Sequence, residues 1–362
     1  MSKGTGGHRA WAKEHFRGFE NILMPSFTPD LAGLDEEGIR LDVRQSIKHG
    51  FFSAFAVPLG LTREERREYF RIAVDEAGDK IAVSSVVMEP TQEMQHALIE
   101  DAGDMGLSHL LIHPFPTFRA QSEEELYDFY RGLIERTELS VCLWATDGIQ
   151  FSNLHPSNVA LDVYDRLADL PNVIAIKLMT TLDLPVIYQI CERLKDRLLI
   201  GGVNLGIAPL LVKHYGMQWS GAWTQEALQT PDQPFAVDYL EHLLAGREDE
   251  AIKLYWEIKP AYDALFALMA PMLPKGVHPF THLKYYQWCV GGNGGLLREA
   301  DDPAERDFPI TAAERDHVKA AYRAIGIAPS ADDADSFVVG RAAYQRGARA
   351  ADMPVKHNYS AG

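Results

Sequence analysis

Cysteine is scarce: Cys142, Cys191 and Cys289 are the only three in 362 residues, and they form no CxxC or Cys/His ligand spacing. That excludes a disulfide framework and a zinc site, and it fits a reducing cytoplasm. Long apolar runs are missing too, since nothing approaches the roughly 18 to 20 consecutive apolar residues of a membrane helix. Residues 1–17 are polar and lack the apolar core of a signal peptide. Positive charge is in deficit, with 35 Lys and Arg against 51 Asp and Glu, a formal net charge of −16 and no basic cluster. Such a chain repels phosphate backbones and anionic membrane surfaces, so neither nucleic acid nor a membrane is expected as a partner. A glycine-rich GxGxxG turn after the first apolar run is also lacking, which argues against a dinucleotide-binding sheet.

What is present is an alternation. Short β-like runs at Ile22–Phe27, Ala54–Val57, Ile81–Val87, His109–His113, Ser140–Trp144, Val173–Lys177, Leu198–Gly201 and Trp219–Trp223 are separated by amphipathic stretches. Helices are predicted over Asp35–His49, over Thr62–Glu76 opening with Thr-x-x-Glu, and over Thr91–Met105 with Thr91 as N-cap. Eight βα repeats in about 200 residues predict a (β/α)₈ barrel, an α/β TIM-barrel fold. Beyond Pro231 the β signal stops, and helices are predicted over Phe235–Leu244, Asp249–Met269, Pro279–Val290 and Thr311–Ile325. The expected organisation is an N-terminal arm at 1–20, the barrel at 21–232, a helical region at 233–327 and an Ala-, Asp- and Gly-rich extension at 328–362, read as a partly ordered arm.

The active site of such a barrel forms where its strands finish, which selects Thr28, Pro58, His113, Trp144, Lys177, Asn204 and Thr224. Lys177 carries the clearest chemistry. It closes the apolar run Val173-Ile174-Ala175-Ile176, and a lysine in a dry barrel mouth loses its proton readily and can attack a carbonyl to give an imine. A strand-end lysine whose ammonium reaches solvent is the plainer reading of that residue alone. His113 and Asp147 are the candidate proton carriers, although Asp147 in Thr146-Asp147-Gly148 reads equally as a turn residue. Trp144, Trp223, Phe115 and Phe118 offer aromatic area to a flat or apolar ligand. His282 and Lys284 read as surface or helix-start residues, and Gly291-Gly292-Asn293-Gly294-Gly295 as a helix stop.

Several pieces, taken in order, resemble the dihydrodipicolinate synthase / N-acetylneuraminate lyase family of Schiff-base (β/α)₈ enzymes. Met24-Pro25-Ser26-Phe27-Thr28-Pro29 with Gly33 and Asp35 resembles its opening "TPF…G.ID", and Leu61-Thr62-Arg63-Glu64-Glu65-Arg66 its "LT.eER". Pro114-Phe115 resembles the "P-Y-Y" loop, and Ile176-Lys177 the "G-I-K" that carries the imine lysine. Gly201-Gly202 and Gly221-Ala222 fall at its strand glycines, and Leu283-Lys284, Gly291-Gly292 and Leu297-Arg298 resemble "vK…lG…vR". The resemblance implies a small-molecule carbonyl substrate, no cofactor beyond the lysine, and a homo-oligomer, either a dimer or a tetramer.

The departures are specific. The family's "G-T-T-G-E" loop, which grips a 2-oxo acid carboxylate, is replaced by the short Val57-Pro58-Leu59-Gly60-Leu61-Thr62, and its two tyrosines correspond to Trp144 and Pro116. The expectation is therefore a lyase or aldolase with an imine on Lys177, a bulky or aromatic substrate, His113 in the proton-carrying role, and Thr28, Pro58, Phe115, Trp144, Gly202, Asn204, Trp223 and Thr224 around the substrate. The alternative is a barrel that binds a small metabolite as a sensor or structural partner without catalysis. A metal-dependent aldolase finds no His/Asp/Glu set at ligand spacing on the strand ends.

Overall fold

The computed structural model describes residues 7–114, 117–145, 151, 153–179, 182–223, 225–271, 279–298 and 310–353, with the side chains of 222 and 223 outside the description. Its strands are β1 (Gly18–Leu23), β2 (Ser53–Ala56), β3 (Ala82–Val87), β4 (His109–Ile112), β5 (Ser140–Ala145), β6 (Val173–Leu178), β7 (Leu199–Gly202) and β8 (Trp219–Trp223). They close into a barrel in chain order. Pairing is parallel where the register is resolved, with Trp144 opposite Lys177 and Lys177 opposite Gly201. This is the (β/α)₈ barrel that the alternation predicts. Both faces of each strand are covered, so β6 is apolar and buried along its whole length apart from its lysine.

Seven strands fall within one residue of their sequence-predicted bounds, whereas β1 starts four residues before the predicted Ile22. The apolar stretch Met24-Pro25-Ser26-Phe27 mimics a strand, and a glutamate at position 20 disguises the real one. Glu20 is buried, with polar partners from other strands.

The chain divides into two compact units. The first comprises Met1–Glu20, Ala82–Trp223 and Leu240–Glu248. Its N-terminal stretch is more than an arm, because Gly7–His15 forms helix α1. Arg9 donates to the carbonyls of Ala168, Leu170 and Val173, and His8 Nδ1 lies 3.1 Å from Ser140 Oγ. Phe16, fully buried, places its ring 4.4 Å from that of His109 and 5.2 Å from that of Trp219. His109, Ser140, Val173 and Trp219 are each the first residue of a strand, so α1 and Phe16 close the N-terminal mouth of the barrel.

The second unit comprises Asn21–Ile81, Thr224–Tyr239 and Asp249–Gly362. It holds helices α2 (Glu36–Lys48) and α3 (Arg63–Ala77), the latter opened by the predicted capping box of Thr62 and Glu65. Its C-terminal helices include Phe280–Cys289, Ala312–Ala324, Ala334–Val338 and Arg341–Gln345. The stretch 328–353, expected as a partly ordered arm, is docked: Phe337 is buried, and its carbonyl accepts from Gly295 N at 2.6 Å. His282 and Lys284 are buried inside their helix rather than at the surface. The 291–295 run is likewise a packed joint, with Asn293 1% exposed and bonded to Ser26, Asp42, Arg341 and Ala342. Residues 354–362 of the extension lie outside the described residues. None of the described helices is long and apolar enough to cross a membrane.

Candidate active site

Lys177 is the fifth of six residues in β6, at its C-terminal end, and is 5% exposed. A Cβ placed on Gly221 would lie 2.7 Å from Lys177 Cδ and 2.9 Å from its Cε. Gly221 belongs to β8, which is not a neighbour of β6, so the lysine stem crosses the barrel interior and rests where β8 has no side chain. Burial pushes the Lys177 ammonium down to about 8 from its ordinary 10.5, against the opposing influence of Glu20 and Cys142. An amine in that condition supplies a substantial neutral, nucleophilic fraction near neutral pH.

Beside it stand an indole and an imidazole. Lys177 Nζ lies 5.4 Å from the Trp144 ring centroid, and the Trp144 and His113 rings are 4.6 Å apart. Trp144 is anchored by Tyr164, whose hydroxyl donates to its carbonyl at 2.9 Å, while the indole Nε1 is buried with no hydrogen-bond partner among the described residues. His113, 5% exposed, follows β4, and its Nδ1 faces the Pro114 carbonyl at 2.9 Å. A carbonyl oxygen only accepts, so Nδ1 carries the proton and Nε2 is the basic nitrogen of the neutral ring. Gln95 fixes the residue from helix Gln92–Asp104 by donating to its carbonyl at 3.1 Å.

Four polar residues that strand-end reasoning passes over also meet in this unit. Glu20 Oε1 accepts from Ser84 Oγ at 2.6 Å and lies 2.8 Å from His109 Nε2, while His109 Nδ1 is 2.8 Å from Ser108 Oγ. β1 neighbours neither β3 nor β4, so these contacts span the barrel interior. Burial alone would push the Glu20 carboxyl up, but His109, Ser84 and the charge of Lys177 together hold it below the usual carboxylate range. The sequence signal for this cluster was a charged residue inside an apolar run, and misplacing β1 hid it.

The remaining candidates are positioned as follows. Gly202 closes β7, where a Cβ would lie 2.8 Å from Leu211 Cδ1, and Asn204 caps the next turn by accepting from Gly206 N at 2.9 Å. Thr28, in the second unit, spends its hydroxyl on a local turn, donating to Asp30 at 2.6 Å and accepting from Gly33 N at 3.2 Å. Pro58 lies half-buried in the connection from β2 to α3. That connection comprises residues 57–62, and its last residue is already the α3 N-cap. Phe115, Pro116, Asp147 and Thr224 lie outside the described residues, as does the Trp223 side chain. Phe118 stacks on Phe129 at 4.2 Å.

A second lysine has a similar ionisation and a different setting. Lys284, 1% exposed, is also pushed down to about 8 by burial, against the charges of Asp42 and Asp35. Its Nζ donates to the Pro25 carbonyl at 2.8 Å, with Ser26 Oγ at 3.4 Å, so it serves as a structural tie within the second unit. Position separates the two lysines: one ends a barrel strand, and the other lies mid-helix against backbone.

Comparison with known proteins adds to this geometry. A sequence model of the dihydrodipicolinate synthetase family matches residues 58–211. A 4-hydroxy-tetrahydrodipicolinate synthase of Methanopyrus kandleri is 26% identical over 259 residues, 69% of this chain and 81% of that protein. An N-acetylneuraminate lyase of Pasteurella multocida is 26% identical over 213 residues, 54% of this chain and 68% of that protein. Among solved structures, N-acetylneuraminate lyase from Fusobacterium nucleatum complexed with pyruvate superposes with a TM-score of 0.65 at 17% identity, covering 86% of this chain and 98% of that one, a likeness of fold.

Proposed function

We propose that this chain is a divergent member of the dihydrodipicolinate synthetase family, an aldolase or lyase of that type, and that it works through a Schiff base on Lys177. The observation that carries the reading is the placement of Lys177: a buried amine at the C-terminal end of β6, with its stem crossing the interior over Gly221. The neutral amine adds to a substrate carbonyl, and the carbinolamine takes up a proton and loses water to leave an iminium. The iminium accepts the electron pair of the Cα–Cβ bond while the β-hydroxyl gives its proton to a base and leaves as a carbonyl, after which the enamine is protonated at Cα; or it accepts the pair of a Cα–H bond whose proton goes to a base, after which the enamine expels the protonated β-hydroxyl as water. Hydrolysis returns the amine. His113, through Nε2, is the proton carrier in this reading.

A bulky or aromatic substrate suits the site better than a bare 2-oxo acid. Trp144 stands where the family's tyrosine would be and can offer a ring face and an N–H but no acid–base chemistry. The six-residue connection 57–62 leaves no equivalent of the carboxylate-binding loop.

The test is borohydride reduction of the protein with a panel of carbonyl compounds, including pyruvate and aromatic aldehydes, followed by mass spectrometry. The expected result is a reduced adduct on Lys177 with an aromatic aldehyde or bulky ketone, and none in Lys177→Ala. No adduct across the panel, together with undiminished carbonyl binding by Lys177→Ala, overturns the imine and favours a metabolite-binding barrel. A pyruvate adduct to the exclusion of the larger carbonyls overturns the bulky-substrate assignment.

A further inference from the structure

The iminium is a cation formed in a dry interior, where an uncompensated charge costs several kcal/mol or more. The proposed chemistry therefore needs a negative charge nearby that does not itself react. Four buried titratable groups influence one another electrostatically in the barrel: Glu20 on β1, bonded to His109 on β4, with Cys142 on β5 and Lys177 on β6. Burial and the Glu20 charge push the Cys142 thiol well above its ordinary value, so it is neutral. Glu20 is the carboxylate of the set. Its side chain is 4% exposed, and Ser84 and His109 both meet its Oε1.

The strand order brings the lysine toward it. Lys177 lies across Gly221 of β8, and β8 is followed around the closed barrel by β1, the strand that carries Glu20. Ser84 and His109 are register partners on β3 and β4 and reach Glu20 across the interior; their layer continues to Ser140, four residues nearer the N-terminal end of β5 than Trp144, the register partner of Lys177. Phe16 packs on His109 from outside that layer and keeps solvent from the cluster.

We propose that Glu20, clamped by Ser84 and His109, is the counter-charge for the Lys177 iminium, a positioning residue that acts through the barrel interior without touching the substrate. This rests on the imine reading of Lys177. Glu20 favours the cationic forms of the lysine nitrogen, ammonium and iminium alike, while the contact with His109 Nε2 engages the same carboxylate and moderates that effect.

The experiment uses two readouts on the full chain. Trace acetylation of Lys177 by acetic anhydride across pH, read by mass spectrometry, gives the midpoint at which the amine deprotonates, whether or not an imine forms. Borohydride trapping with the carbonyl that labels the wild type gives the imine yield. In Glu20→Gln, which keeps the shape and removes the charge, the midpoint is expected to fall by about one pH unit, a roughly tenfold change in amine fraction, and the yield trapped above both midpoints, where the amine is neutral in either protein, is expected to fall. In His109→Gln, which keeps a donor and removes the imidazole bonded to Glu20, the midpoint is expected to rise. A folded Glu20→Gln protein with unmoved midpoint and yield overturns the proposal; where that variant does not fold, an unmoved midpoint in His109→Gln does so. Absence of any adduct on the wild type defeats the imine reading instead, and the acetylation profile still shows whether Glu20 and Lys177 are coupled.

Discussion

Glu226 is buried in the turn that follows β8, and burial pushes its carboxyl up to about 8 from an ordinary 4.5. Its Oε1 accepts from Asn21 Nδ2 at 2.5 Å and from Gln287 Nε2 at 3.3 Å, while Oε2 has no partner among the described residues and is the natural seat of the proton. The raised value works against stability as pH rises. Below about 4.5 the group is protonated folded and unfolded alike; between there and about 8 the folded state holds the proton that the unfolded chain has lost. Its contribution is complete at the acid end and is lost through that window, by at most about 5 kcal/mol. Asp42, raised to about 6, adds a smaller slope of the same sign. Glu226→Gln can keep the Asn21 and Gln287 bonds without a titrating proton. Its urea midpoint is expected to stay nearly flat from pH 5 to 8 while that of the wild type declines.

At the level of elements, α1 and the residue after it do work that a polar N-terminus does not advertise. Arg9 satisfies carbonyls at the start of β6 and just before it, and Phe16 covers His109 and Trp219, which begin β4 and β8. A barrel bottom left open would expose these rings and wet the Glu20 cluster. Phe16→Ala is expected to cost about 3–5 kcal/mol in chemical denaturation, the usual loss for a fully buried phenylalanine. A cost below about 1 kcal/mol would show that the helix merely rests on the barrel. The element was legible only in part. Trp11 and Phe16 are the apolar residues in an otherwise polar stretch, and nothing local says that a barrel end awaits them.

On the scale of the whole molecule, residues 328–353 of the C-terminal extension pack into the second unit. Asn293 donates its backbone N–H to Asp42 at 2.6 Å and its side-chain Nδ2 to Ser26 at 3.0 Å, and its Oδ1 accepts from Ala342 N at 2.9 Å. One amide thus joins the segment after β1, helix α2 and the extension. The close approach explains the glycines around it, since a Cβ on Gly38 would fall 2.5 Å from Asn293 Nδ2 and one on Gly340 2.9 Å from it. Asn293→Ala leaves buried donors and acceptors without partners and is expected to cost about 2–4 kcal/mol. Limited proteolysis should then cleave within 328–353, a stretch expected to resist in the wild type. Equal resistance in both proteins would mean that apolar packing around Phe337 suffices.

Periodicity by itself determined the barrel, because strands covered on both faces must be apolar runs and the helices between them must be amphipathic; seven strands and the Lys177 position follow from that pattern. Local chemistry likewise determined the capping boxes of α3 and of helix Ala312–Ala324, where the signal lies within four residues. Tertiary structure alone decided where buried polar residues go. Glu20, Lys284 and Asn293 look like surface or turn residues until partners from remote parts of the chain arrive to satisfy them. A strand's apolar pattern is a one-dimensional signal, whereas the partner that makes a buried charge tolerable is set by how the barrel closes.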